Sequence, residues 1–323
     1  MKRKLVWKML LLGGSLLTIN AWGRTISFTA DLNGNLDIYI MDINRKNPVN
    51  LTNHLAADSS PTWAPDGSAF AFVSHRDGNP EIYVMEMENK ESRRLTNNGA
   101  TDIDPAWSPD GHWIAFASNQ HREHAADTDI YIMNPNGKKA QQLTNKGGHN
   151  STPAWSPDGQ WIAFRTTLDG IGTIHLINAN GKKQRALTQV SATTPTWAVN
   201  GKEIYFSSDM LNDVKLPTLF AIDVNGRNVR KLANVAQACE EPAESPDGQW
   251  IAYVSTQAGN KDIHLIRVAG GEIQQLTQDP GLEFSPAWVP SGLSVSPNTH
   301  PWTTLWGILK QTAVKTGLQS THH

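Results

Sequence analysis

The phrase "PAWSPDG" occurs at 105–111 and again at 153–159, with "PTWAPDG" before it at 61–67 and "PAESPDG" after it at 242–248. Its opening prolines belong to a longer series, Pro61, Pro105, Pro153, Pro195, Pro242 and Pro286, spaced 44, 48, 42, 47 and 44 residues apart. Three further phrases recur in step with it. The second is FAF (70–72), IAF (114–116), IAF (162–164), IYF (204–206) and IAY (251–253). The third is EIYVME (81–86), DIYIMN (129–134), TIHLIN (173–178), TLFAID (218–223) and DIHLIR (262–267). The fourth is RRLT (93–96), QQLT (141–144), RALT (185–188), RKLA (230–233) and QQLT (274–277). Each phrase is short, rich in β-branched and aromatic residues, and bounded by Gly, Pro, Asn or Asp, the signature of strands joined by tight turns. Four short strands in each period of roughly 40–50 residues describe one blade of a β-propeller.

The blade count follows from the two ends. ISF (26–28), DIYIMD (37–42) and NLT (50–52) supply three phrases before Pro61, but the opening strand is missing. SPAWVPSG (285–292) supplies an opening strand and nothing more. Together they make one blade, so the chain reads as an all-β, six-bladed propeller of four-stranded blades. Residues 285–292 close it by pairing with the N-terminal blade, 24–52, which removes an open sheet edge. In S-P-D-G the Pro presets φ, the Asp suits the next turn position and the Gly takes positive φ, so the phrase reads as the turn between the first two strands. Trp63, Trp107, Trp155, Trp197 and Trp288 recur at one place per blade. A large aromatic in that pattern packs between neighbouring blades. Glu244 stands where the sixth blade should carry its Trp.

The chain begins with a basic segment, Lys2, Arg3, Lys4 and Lys8, followed by a short apolar stretch ending near Ala21 and Gly23. This is the pattern of a signal peptide over 1–23, too short for a span of about 20 apolar residues. The expected location is periplasmic or secreted, with no stable membrane span after cleavage. Removing four basic and no acidic residues takes the net charge from −2 to −6. A mildly acidic exported protein is a poor partner for nucleic acid. Cys239 is the single cysteine, so no internal disulfide forms. The propeller is assigned to 24–292, and a polar, Thr-rich tail to 293–323, either a short helix or disordered.

The repeat "PxWSPDGxxIAFxS…DIYxM…xxLT" resembles that of the TolB-like six-bladed propellers of the PD40 type. The likeness runs over 24–292 in six registers, whereas one copy would carry little weight. TolB proteins have an α/β domain ahead of the propeller. Here the blades begin within a few residues of the expected cleavage site, which identifies a stand-alone TolB-like propeller. The resemblance implies a monomeric, non-catalytic envelope protein that binds other proteins and needs no cofactor. Propellers that cap prolyl oligopeptidases accompany a G-x-S-x-G hydrolase domain, for which this chain has neither motif nor room. The alternative is a periplasmic hydrolase or lyase acting on polysaccharide or peptide through a metal or carboxylates on the channel face.

Propeller function resides in the loops around the central channel. The segments leading into each first strand carry Asp58, Asp102, Asp104, His149, Asn150, Glu240, Glu241 and Glu283. Radial placement is expected to gather them at one acidic mouth whose field favours a cation or a basic protein or peptide segment. Four of the six loops between second and third strands share one length. Two are longer, 119–128 and 209–218, where specificity is expected. The first holds His121, Arg122, Glu123 and His124. Its His and carboxylate groups could ligate a divalent metal, but their spacing fits no established zinc pattern. DLNGNLD (31–37) alternates oxygen ligands without the bidentate Glu of a calcium loop. No Ser-His-Asp or Cys-His set stands out. Glu240 and Glu241 beside Cys239 disfavour a reactive thiolate.

Overall fold

The computed structural model describes residues 24–290, apart from 33, 45, 122–126, 146, 169, 211–215, 233–237, 257 and 258. The expected signal peptide (1–23) and the tail (293–323) lie outside the described residues. Six four-stranded antiparallel sheets are present, each following chain order from the innermost strand outward except where the ring closes. Blade 1 takes its innermost strand, Glu283–Trp288, from the C-terminal end and pairs it with Thr25–Asp31. Leu36–Asp42 and Val49–Asn50 complete that sheet. The innermost strands of blades 2 to 6 are Asp58–Trp63, Asp102–Trp107, His149–Trp155, Thr193–Trp197 and Cys239–Glu244. No helix among the described residues is long and apolar enough to cross a membrane.

The strand sequences follow from where each strand sits. Second strands such as Ala69–Ser74 and Ile114–Ser118 are buried at every position. Both of their faces meet a neighbouring blade, so they read as continuous apolar runs rather than alternating ones. Successive side chains feed successive interfaces. Ile114 and Phe116 pack between blades 2 and 3, whereas Ala115 and Ala117 pack between blades 3 and 4. Outermost strands are two or three residues long, which leaves little edge for another chain to pair with.

The recurring phrases each make a specific contact. In the fourth phrase, the hydroxyls of Thr52, Thr96, Thr144, Thr188 and Thr277 accept from the N–H of Ile38, Ile82, Ile130, Ile174 and Ile263 at 2.8–3.0 Å. Thr52 and Thr144 also donate to Asp37 and Asp129 at the head of the third strand. This clasp ties the outermost strand to its blade. In the turn phrase, Ser108, Ser156 and Ser245 donate to Asp110, Asp158 and Asp247 at 2.5 Å. Each of these Ser hydroxyls also accepts the N–H of a Trp at or just before the start of the next strand, at 2.9 Å. Gly111 and Gly159 hold φ of 75° and 68° there, which a side chain would resist. The Asp of the phrase is therefore a turn residue; its partner Ser156 holds the Asp158 carboxyl below its ordinary value.

The repeated Trp residues bridge blades. The indole N–H of Trp155, Trp197 and Trp288 donates to the carbonyls of Ala106, Ala154 and Ala243 in the preceding blade at 2.9–3.1 Å. Trp63 reaches Ser27 Oγ at 2.8 Å in the same way. Glu244, in the Trp position of blade 6, accepts from Val199 N of blade 5 at 2.6 Å. A hydrogen bond thus replaces part of the aromatic contact.

Candidate binding site in the central channel

Every innermost strand carries a proline in its interior, at Pro61, Pro105, Pro153, Pro195, Pro242 and Pro286. A proline cannot donate to the ladder, so the strand must break register around it. The register shifts at this point in blades 2 to 6, between Ser59 and Thr62, Ile103 and Ala106, Ser151 and Ala154, Thr193 and Thr196, and Glu240 and Ala243, and in blade 1 opposite Ser27 and Thr29. The residue before each proline is left-handed: Ser60, Asp104, Thr152, Thr194, Glu241 and Ser285 have φ between 47° and 55°. That conformation costs about 1–2 kcal/mol for a residue with a side chain. These six residues and their prolines line the channel, a cavity of about 440 Å³.

Two of the six are acids. The blades run in ring order, so Asp104 of blade 3 and Glu241 of blade 6 face each other across the axis. Each is anchored identically. Asp104 Oδ2 accepts from Thr152 N of blade 4 at 3.0 Å, and Glu241 Oε2 accepts from Ser285 N of blade 1 at 2.6 Å. One oxygen of each carboxylate fixes the neighbouring bulge, and the other has no protein hydrogen bond among the described residues. Burial pushes both carboxyls above the ordinary range, outweighing those two hydrogen bonds. Asp104 contributes to the upward shift of Glu241. The cavity therefore holds two desolvated acids, and the charge of Asp104 adds to the cost of ionising Glu241.

The other sequence candidates are placed differently. Asp58, Asp102 and Glu283 are 0% exposed and do not reach the channel lumen. They begin their strands, and Asp102 and Glu283 each sit beside the acid at the head of the preceding third strand, Glu81 and Asp262. Asn150, also buried, donates to Asp129 at 3.2 Å in the same role. His149 Nδ1 lies 3.0 Å from Thr128 Oγ1. Glu240 is outside the lumen, 3.8 Å from Lys261 Nζ. In the long loop, His121 Nδ1 sits 2.7 Å from Tyr131 Oη. Arg122, Glu123 and His124 lie outside the described residues. No group of three or more His, Cys, Asp or Glu that could hold a metal is found among the described residues. Cys239 is buried, and its thiol is pushed up to about 11, first by burial. Of the eight expected mouth residues, the geometry brings together Asp104 and Glu241. Ser60, Thr152, Thr194 and Ser285 are channel residues that sequence reasoning passed over, although each precedes a proline in mid-strand.

Six bulged innermost strands around an acidic lumen define a β-propeller with an axial cavity. The chain belongs to the TolB beta propeller domain family, whose model matches residues 20–126 and 123–231. A Tol-Pal system protein TolB from Anaeromyxobacter dehalogenans is 34% identical over 123 residues, covering 37% of this chain and 27% of that protein. The aligned stretch thus spans about a quarter of that relative's length. Among solved structures, TolB from Acinetobacter baumannii superposes with a TM-score of 0.73 at 22% identity, covering 84% of this chain and 67% of that one. A protein described as a putative TolB from Agrobacterium tumefaciens gives 0.65 at 18% identity, covering 82% of this chain and 98% of that one. At these identities the structural likeness concerns the fold.

Proposed function

We propose that this protein is a non-catalytic, periplasmic binder of an envelope protein or peptide, which it holds by a basic side chain inserted between Asp104 and Glu241. The observation that carries the reading is the pair of facing carboxylates in the lumen, each with one oxygen spent on the scaffold and one left over. A lysine or arginine entering there meets preorganised acceptors in a partly desolvated site, where charge-assisted hydrogen bonds are strong. Family membership supports a TolB-like role, and the names of the relatives supply the envelope setting. Burial holds both carboxyls up, and the cation binds the ionised forms. Affinity should therefore fall as pH drops through their raised range.

The test is capture from envelope extract with the wild-type protein and an Asp104→Asn/Glu241→Gln variant. The amide oxygens can still accept from Thr152 N and Ser285 N, so the bulges keep their anchors. A protein captured by the wild type and lost with the variant supports the reading. Equal capture by both, or capture by neither, removes the lumen as a protein site.

A further inference from the structure

Away from the axis, two arginines strap one blade to the next. Arg93, on the outermost strand of blade 2, donates to the Pro135 carbonyl of blade 3 at 2.9 Å. Arg185 holds the same place on blade 4 and donates to the Val224 carbonyl of blade 5. Arg230 is instead spent within blade 5, where its Nη2 donates to both carboxylate oxygens of Glu203 at 2.9 and 3.0 Å. Arg267 likewise stays within blade 6, lying over the ring of its cross-strand neighbour Trp250 at 4.3 Å.

Blade 3 lacks both devices. Its register pairs Gln141 with Ile132, just as Arg93 pairs with Val84 and Arg185 with Leu176. The Gln141 amide has no protein hydrogen bond among the described residues. Trp113 takes the position of Trp250, and Asn134 that of Arg267. Asn134 Oδ1 turns away to accept from Asn136 N and Lys138 N of its own turn, at 3.2 and 2.8 Å. The gap between blades 3 and 4 consequently stays open as a groove of about 570 Å³, lined by Trp113, Trp155, Gln141, Gln160 and Asn178. That size falls within the roughly 300–1,000 Å³ of small-molecule sites.

We propose that this groove binds a neutral oligosaccharide. Asp110 and Lys183 are the ionisable residues lining it, so it has no net charge to hold a phosphate or a uronate. The unspent amides of Gln141 and Gln160 can each donate and accept, which matches vicinal hydroxyls. Asn178 Oδ1 accepts from Lys182 N and Lys183 N at 2.8 and 3.1 Å, which leaves its Nδ2 to donate. The half-buried Trp113 offers an apolar face to the C–H side of a pyranose. Its indole N–H has no protein partner among the described residues. The site is separate from the axial cavity and does not depend on the protein-binding reading.

The test uses purified full-length protein on an array of neutral, acidic and sulfated oligosaccharides, followed by titration with the best neutral probe. Candidate probes are cellotriose, maltotriose and triacetylchitotriose. Gln141→Arg should rebuild the strap seen on blades 2 and 4, reaching towards the Ala179 carbonyl, without lowering the melting temperature. It should weaken the neutral probe at least tenfold, or about 1.4 kcal/mol. Gln160→Ala should weaken it in the same direction. Overturning results are no neutral probe bound at millimolar concentration, binding confined to acidic or sulfated sugars, or equal binding by wild type and Gln141→Arg.

Discussion

Four blade junctions bury a carboxyl: two meet it with an arginine, one with an amide and one with a second acid. Asp58 receives Arg76 at 3.0 Å, and Glu81, next to Asp102, receives Arg94 at 2.7 Å. At the third junction Asn150 replaces one acid and donates to Asp129. At the fourth, Glu283 meets Asp262 and forms no ion pair among the described residues; burial, with the charges of Asp262 and Asp279, pushes its carboxyl up to about 8. A carboxyl raised from 4.5 to about 8 is protonated in the folded protein across that interval and ionised in the unfolded chain. The contribution of Glu283 to stability is therefore greatest below about pH 4.5, declines as pH rises towards 8, and is flat beyond. Glu283→Gln should match the wild type at pH 4.5 and melt several degrees higher at pH 9. Each kcal/mol corresponds to roughly 2–4 °C in a domain of this size. Equal melting temperatures at pH 9 would show that Glu283 ionises normally.

The innermost strand is the element in which scaffold and site are hardest to separate by reading alone. Strand phrases, turn residues and the bridging Trp residues were legible because each repeats at a fixed offset, and repetition isolates scaffold. Asp102 and Asp104 were read together because both lie in a segment leading into a first strand, which radial placement brings towards the axis. The bulge at Pro105 separates them: Asp102 goes under the blade junction and Asp104 turns into the lumen. The mid-strand proline was the available signal, since a proline inside a paired strand implies a bulge. The groove between blades 3 and 4 was not legible at all. It arises where Gln replaces Arg at one place, which has meaning only once neighbouring straps are seen in space. The bridging aromatic makes a direct test of the element. Trp197 is 8% exposed and bonds across to Ala154. Trp197→Ala should cost about 3–5 kcal/mol in chemical denaturation. Trp197→Phe should cost nearer 1 kcal/mol, the share of the lost hydrogen bond.

At the scale of the molecule, closure makes the six blades a ring instead of a stack with two raw ends. The seam is continuous hydrogen-bonded sheet: Glu283–Trp288 pairs with Thr25–Asp31, Val289 N donates to Thr25 O at 3.0 Å, and Asp31 N donates to Leu282 O at 3.1 Å. A core of Ile26, Phe28, Val254 and Trp288 spans the same junction. Both the number of blades and the way they close were readable from two incomplete repeats, because only their union makes a whole blade.

That seam also makes the order of the blades along the chain arbitrary. Since residues 25 and 289 are hydrogen-bonded neighbours, a short linker between positions 24 and 290 could join them, and new ends could be cut in an exposed turn such as Asn89–Lys90. Such a circular permutant keeps every interface of the ring, and chain ends that lie close together usually tolerate this operation. It should fold to the same sheet content by circular dichroism and retain whatever the lumen binds. A permutant that fails to fold would mean the blades must be made in their natural sequence, with the last-synthesised strand arriving to lock a ring that is already built.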